Sequence, residues 1–307
     1  MSGLAILSLV IYAVLPPWNF VQDTVVSIKD KSSSIQATYK FGEQNIVRST
    51  LLLHTMIKIF GGEKKVKAGD YLFEKPQSVW RVAWRLTHGE YGFAPRKITL
   101  PEGLSSKEMA EILQDKLINF NSQDFINQAS SSEGYLFPDT YLLMPTSKPD
   151  EIIKLMTETF DKRIKEIDQQ IVAFNKPLRD IVNMASIVEE EANDEKSRRI
   201  VAGILWKRLK LGMPLQVDSS FRYINGKTTE DLTKDDLRID SPYNTYRYKG
   251  LPPTPITNPG LLAISATVTP IDTPYFYFLT GKDGEMYYAK TYSEHLALKA
   301  KYLDQNK

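Results

Sequence analysis

The stretch NKPLRDIVNMASIVEEEA, residues 175–192, opens with helix-start signals and closes on adjacent glutamates. Asn175 and Pro177 mark the start, and Asp180 falls in the first turn, where a negative charge suits the helix dipole. At about 100° per residue, Ile181, Met184, Val188 and Ala192 share one face. Glu191 sits at the edge of that apolar stripe. Glu190 points roughly 160° away from Val188, towards solvent, and Glu189 lies on the flank roughly 160° from Glu191. Three neighbouring carboxylates are thus expected in three surroundings.

Working outward, SRRIVAGILWKRLKLGM reads as a further helix stopped at Gly212 and Pro214, and DEIIKLMTETFDKRIKEIDQQIVAF as one amphipathic helix on a 3–4 spacing. Upstream, RKITLPEGLSSKEMAEIL pairs a strand at Ile98 and Leu100 with a helix opened by a Ser105/Glu108 capping box. SSEGYLFPDTYLLMP (131–145) is aromatic and turn-rich, without periodicity. Downstream, SPYNTYRYKGLPPTPITNPG is proline-rich ordered coil, TPYFYFLTGKDGEMYYAKTY a hairpin turning at Gly281–Gly284, and Ser293 caps a last helix. Nearer the amino end, a strand at Val25–Ile28, a Ser-rich turn that suits a helix cap, a helix over 47–62 and a strand in KKVKAGDYLF form a strand–helix–helix–strand module. SVWRVAWRLTHGE (78–90) adds a helix closed by glycine. The fold class is α+β.

With 307 residues there is material for two or three cores; 42% hydrophobic and 25% charged residues fit a globular chain. A net charge of +2 gives no footing for nucleic acid as a partner. The absence of cysteine excludes disulfides, thiol catalysis and zinc–thiolate sites. From Met1 to Gln22 no side chain is charged, and Gly3–Leu15 is almost wholly apolar. As a helix that run reaches about 20 Å, short of a ~30 Å hydrocarbon core, although extension to Val21 with Trp18 at the headgroups nearly suffices. We read 1–22 as a membrane anchor, with a truncated start to account for its length. A cleaved signal and a buried helix are the alternatives.

A carboxyl against apolar walls resists ionisation, so its pKa rises and it holds a proton near neutrality. General acid catalysis at a glycosidic oxygen needs that property. The plainer alternative for Glu191 is an ion pair with Arg198. Other chemistries are poorly supported: His54, His88 and His295 are scattered without H-E-x-x-H, so no metal site is expected; there is no G-x-S-x-G elbow, and GGEKKVKAGD lacks P-loop spacing.

Six motifs then occur in order: EGYLFPDTY (133–141), ASIVEEEA (185–192), LQVDSS (215–220), YNTY with GLPP (243–253), NPG (258–260) and PYFYF followed by His295. Together they resemble the endolytic murein transglycosylase, or YceG-like, family. The resemblance implies a transglycosylase catalytic domain over 96–307, a LysM-like module over 23–95 containing KAGDYLF, and the anchor at 1–22. It implies cleavage of peptidoglycan glycan strands between MurNAc and GlcNAc with 1,6-anhydroMurNAc ends and no cofactor. It also implies a single-pass inner-membrane protein whose catalytic domain faces the periplasm or wall, with peptidoglycan synthases as partners.

The family's catalytic glutamate is the second Glu of an Ile-Val-Glu-Lys-Glu pattern and maps onto Glu191. Glu190 stands where Lys is usual, which makes the field at Glu191 more negative. Gln216, Asp218, Asn244 and Tyr246 are carried over as substrate-cleft residues, with a loop-pinning role as the alternative for each; for Glu133, Asp139 and His295 packing is favoured. Thr254 replaces a frequent glycine after the paired prolines, and DSSFRY replaces a commoner Asp-Pro-Thr. Two rivals remain: a lysozyme-like muramidase using Asp218 and water, and a non-catalytic wall-binding scaffold.

Overall fold

The computed structural model describes residues 12–29, 32–61 and 66–304. The chain divides into two compact units, one ending at Pro95 and one beginning at Arg96.

In the first unit, β1 (Thr24–Ile28) pairs antiparallel with β2 (Gly69–Phe73), Val26 opposite Tyr71. Between them lie α1 (Ser34–Glu43), opened by a Ser33/Gln36 capping box, and α2 (Thr50–Gly61). The strand–helix–helix–strand order read from the sequence is present. Its core joins Val26, Phe41, Leu53, Ile57 and Phe73, with Phe41 edge-on to Phe73 at 5.7 Å. Then α3 (Val79–His88) buries Val79, Val82, Ala83 and Leu86 and stops at Gly89, whose φ of 74° favours glycine. Among the described residues no helix is long and apolar enough to cross a membrane. Residues 1–11 of the expected anchor lie outside the described residues, and Val14 and Phe20 from its remainder pack on this core.

The second unit begins with β3 (Arg96–Thr99), which pairs antiparallel with β4 (Thr140–Leu143), Ile98 opposite Tyr141. β4 falls in the aromatic stretch that showed no periodicity. The Ser105/Glu108 capping box opens α4 (Ser106–Lys116), and Asn121 caps α5 (Ser122–Ala129). The helix expected over the DEIIKLM stretch is two, α6 (Pro149–Ile164) and α7 (Asp168–Phe174), separated by a 3-10 turn at Lys165–Ile167. α8 (Leu178–Glu191) and α9 (Glu195–Lys210) follow, then α10 (Ser219–Asn225) in the DSSFRY segment, and α11 (Leu261–Val268). β5 (Tyr277–Thr280) and β6 (Met286–Ala289) form the hairpin, and α12 (Tyr292–Tyr302) is capped by Thr291 through a box with Glu294, not by Ser293.

α8 is the centre of this unit, packing on α9, α10 and α11. Every residue from Ile181 to Glu189 is buried, so the single apolar stripe understates its environment. Its polar side is covered too. Asn183 donates to the Pro252 carbonyl at 2.7 Å, and Ser186 Oγ accepts from the Ile256 amide at 3.1 Å. These bonds occupy the Asn183 side-chain donor and the Ser186 hydroxyl and fix the proline-rich loop against the helix, which is why that coil is ordered.

Candidate active site

The three glutamates at the end of α8 diverge. Glu189 is buried, accepts from the Gly260 amide at 2.8 Å and is paired with buried Arg198, the cation offered above as an alternative partner of Glu191. Glu190 does not run out into solvent. It takes a hydrogen bond from Arg222 Nη1 at 2.9 Å, and the same guanidinium reaches Glu108 through Nε at 3.0 Å. Two carboxylates sharing one arginine tie the end of α8 to α10 and to the first turn of α4.

Glu191 pairs with neither arginine. It is half-buried as a residue. Burial pushes its carboxyl up to about 7; the Asp218 and Glu190 charges push the same way, while the Ser219 amide and hydroxyl pull against them. A Glu at this pKa is poised to give and take a proton near neutral pH.

Asp218 and Tyr246 join Glu191. Tyr246 donates from its hydroxyl to Asp218 Oδ1 at 2.5 Å, and both Asp218 and Glu191 hold the phenol's pKa far above its ordinary value, after burial itself. Gln216 is exposed, two residues before Asp218, in a left-handed backbone conformation (φ 50°), its amide bonded to the Thr245 carbonyl at 3.1 Å. Asn244 is placed differently. It is fully buried, its side-chain amide donates to the Leu237 and Ile239 carbonyls at 3.0 and 2.9 Å, and its Oδ1 accepts from the Tyr246 amide at 3.0 Å. These bonds pin the loop that presents Tyr246.

The remaining motif residues belong to the frame. Buried Glu133 accepts from the Ser106 amide and from Asn258. Asn258 also accepts from the Gly134 and Leu136 amides at 2.8 and 3.0 Å and donates to the Leu104 carbonyl at 3.0 Å. One asparagine thus locks the EGYLF loop to the NPG loop. Asp139 pairs with Arg163 at 3.1 Å. The His295 ring lies 5.5 Å from that of Tyr277, with burial lowering its pKa. Thr254 meets Tyr243, hydroxyl to hydroxyl, at 2.7 Å.

Sequence reasoning missed Arg208. It is buried, donates from Nε to the Phe276 carbonyl at 2.7 Å and from Nη1 to the Leu215 carbonyl at 2.6 Å, and feels the Tyr277, Tyr246 and Glu191 charges. It anchors the segment leading to Asp218 on one side and the approach to β5 on the other. The signal was an arginine next to the apolar run Ile204–Leu205–Trp206.

The YceG-like family model matches residues 26–301. The chain belongs to the YceG-like family. It is 31% identical to a Bacillus subtilis protein named endolytic murein transglycosylase, over 95% of this chain and 88% of that one. Two Streptococcus pneumoniae proteins of the same name are 27% identical over 81% of this chain; it spans about half their length, 53%. A YceG-like protein of Listeria monocytogenes has a similar structure, with a TM-score of 0.59, 26% identity, and coverage of 91% of this chain and 99% of that one. Glu191, Asp218 and Tyr246 all lie within the stretch that the family model spans.

Proposed function

We propose that this YceG-like protein is an endolytic peptidoglycan lytic transglycosylase, with Glu191 as its catalytic acid and base. The names of its relatives support the reaction class. The observation that carries the residue assignment is a carboxyl that burial holds near pKa 7, beside Asp218 and Tyr246, while the two neighbouring glutamates are committed to arginines.

At neutral pH a substantial fraction of Glu191 is protonated. It donates that proton to the O4 oxygen of the departing GlcNAc as the C1–O4 bond breaks and positive charge builds at C1 of MurNAc. The C6 hydroxyl of the same sugar then forms the C1–O6 bond, and Glu191 takes its proton back. Since this nucleophile is tethered, high effective molarity replaces a positioned water. One carboxyl completes the cycle. Asp218, oriented by Tyr246, supplies negative field for the cationic transition state. Gln216 lies on the exposed rim before Asp218 and contacts the glycan; Asn244 acts only by holding Tyr246.

The first unit serves as a LysM-like wall-binding module, supported by its antiparallel pair enclosing two helices. The uncharged, mostly apolar residues that open the chain ahead of Val14 support anchorage in the inner membrane, with the catalytic unit outside and peptidoglycan synthases as its neighbours. The test is mass spectrometry of sacculi digested by wild type and Glu191→Gln. 1,6-Anhydro ends from wild type and none from the variant are expected. Reducing ends would point to a muramidase, and equal digestion by both proteins would remove Glu191 from the chemistry.

A further inference from the structure

In the first unit, α2 is apolar on its outer side as well as its inner one. Leu51, Thr55 and Ile59 recur every fourth residue along the exposed side, with Leu51 77% and Ile59 66% exposed. The Thr55 hydroxyl donates to the Leu51 carbonyl at 3.0 Å, so this residue too offers solvent mainly a methyl group. Over the helix's length of about 18 Å, Lys58 is the one Lys, Arg, Asp or Glu. An exposed strip of this kind marks a surface that another phase or partner covers. Trp80 and Trp84 are exposed one turn apart on α3, and Trp84 meets Phe60 edge-on at 5.7 Å, which sets it beside the carboxyl end of α2.

At the amino end of α2 the opening residues of the chain enter the unit. From Met1 to Ile11 no side chain is charged. Tyr12 and Ala13 alone separate that run from Val14, which packs on the core, and three residue steps span at most about 11 Å. No linker intervenes. Arg48, three residues before Leu51, lies with its guanidinium 4.3 Å from the Tyr12 ring centre and 5.2 Å from that of Trp18. Its Nε and Nη1 form no hydrogen bond among the described residues, so the two rings are what hold it. Trp18 is nonetheless 87% exposed. Tryptophan and tyrosine collect at the headgroup level of bilayers, and every tryptophan of the first unit is exposed, whereas Trp206 of the second is buried. Charge agrees: residues 1–95 hold eleven Lys and Arg against seven Asp and Glu, an excess that suits anionic lipid.

We propose that the outer side of α2, with Trp18 near one end and Trp84 near the other, lies on the surface of the bilayer that receives the opening residues. The proposal rests on the anchorage reading above and goes beyond it by naming the face that lies on lipid. An apolar run that joins the unit without a linker keeps the unit within reach of the headgroups. The surface nearest that junction holds Arg48 and, three residues on, Leu51. Leu51 and Ile59 gain there the burial that water denies them. A second protein would have to reach the same strip past the bilayer to which the chain is tied. The contact turns one tether into two, so the unit cannot swivel freely about its anchor.

The chain has no cysteine, so a single introduced thiol carries a nitroxide label to one place. Thr55→Cys puts the label in the middle of the α2 strip, and Gln123→Cys puts it on exposed α5 as the control. Both full-length proteins are reconstituted in vesicles of phosphatidylethanolamine and phosphatidylglycerol, recovered by flotation, and probed with membrane-soluble oxygen and an aqueous nickel chelate. We expect oxygen to reach the label at 55 better than nickel does, and the reverse at 123. Adding Leu51→Glu and Ile59→Glu, at two exposed positions outside the core, should reverse the preference at 55 while the protein still floats. Floating protein in which nickel reaches 55 as freely as 123 overturns the docking and leaves anchorage standing. A label shielded from both reagents overturns it too, because protein then covers the strip. So does a preference at 55 that the two glutamates leave unchanged. Protein that fails to float removes anchorage and, with it, the docking.

Discussion

Glu191→Gln should stabilise the protein in mild alkali while abolishing its chemistry. On folding, the carboxyl moves from 4.5 to about 7, chiefly through burial, with Asp218 adding to the rise. Below pH 4.5 the group is protonated in both states and costs nothing. As pH rises through 7 the unfolded chain has already released the proton, whereas the folded protein holds it or accommodates a disfavoured charge. The stability associated with this side chain is therefore complete below about 4.5 and lost as pH passes 7. At about 1.4 kcal/mol per pH unit of displacement, the ionised form costs the folded state about 3 kcal/mol at pH 8. Partial exposure of the residue allows some solvation as the helix end breathes, which lowers the expected gain from glutamine to about 1–3 kcal/mol. For a unit of this size that is a rise in Tm of roughly 3–10 °C at pH 8, shrinking towards zero at pH 4.5. Calorimetric melts of both proteins at the two pH values read it directly. A Tm difference that is the same at both would show that Glu191 ionises as a solvent-exposed glutamate does. Activity should meanwhile drop about 10²–10⁴-fold in the variant, and the wild-type rate should decline above pH 7.

Asp218→Asn removes a negative neighbour, so Glu191 ionises more readily and the alkaline limb of the pH–rate profile should move down by up to about one pH unit; an unmoved limb separates the two groups, and complete loss with reducing-end products in wild type would favour the muramidase. Glu189→Ala leaves Arg198 buried without its carboxylate and should cost about 3–5 kcal/mol in urea unfolding. A loss below 1 kcal/mol would mean the pair is solvated. Asn258→Ala breaks bonds to Gly134, Leu136, Leu104 and Glu133 at once and should cost about 2–4 kcal/mol, seen as a lower urea midpoint.

Legibility in the sequence followed physical scale. Capping boxes and glycine stops are local, and Ser105/Glu108, Gly89 and Gly212 end or begin helices where the chain alone places them. β4 was invisible because its strand character comes from pairing with β3 some 40 residues earlier, Thr99 opposite Thr140, a contact no local pattern carries. The break after Ile164 was also hidden, since the 3–4 spacing of apolar residues continues through it. Motif membership proved a poor guide to role. Asn244, Asn258 and Glu133 spend their polar atoms inside the protein, whereas Arg208, outside every quoted motif, reaches the Glu191 cluster. A recurring residue type in a motif reports constraint, and only its partners say whether the constraint is architectural or chemical.

The contrast among Glu189, Glu190 and Glu191 shows how the constraint works. Helical geometry forces consecutive side chains about 100° apart, so three adjacent carboxyls cannot share one environment. The protein uses this by surrounding the helix end with different neighbours: Arg198 and the Gly260 amide for the first, Arg222 for the second, Asp218 and Ser219 for the third. The first two fix the helix end to α9, α10 and the loop before α11, which leaves the third little freedom to relax out of its buried position. A raised pKa persists only where relaxation is prevented, because a mobile carboxyl would turn towards water and ionise. The arginine pairs at 189 and 190 thus act on the carboxyl at 191 by immobilising it. Their own charges matter less: Glu190 shares its arginine with Glu108, which blunts the negative field it would otherwise place beside Glu191.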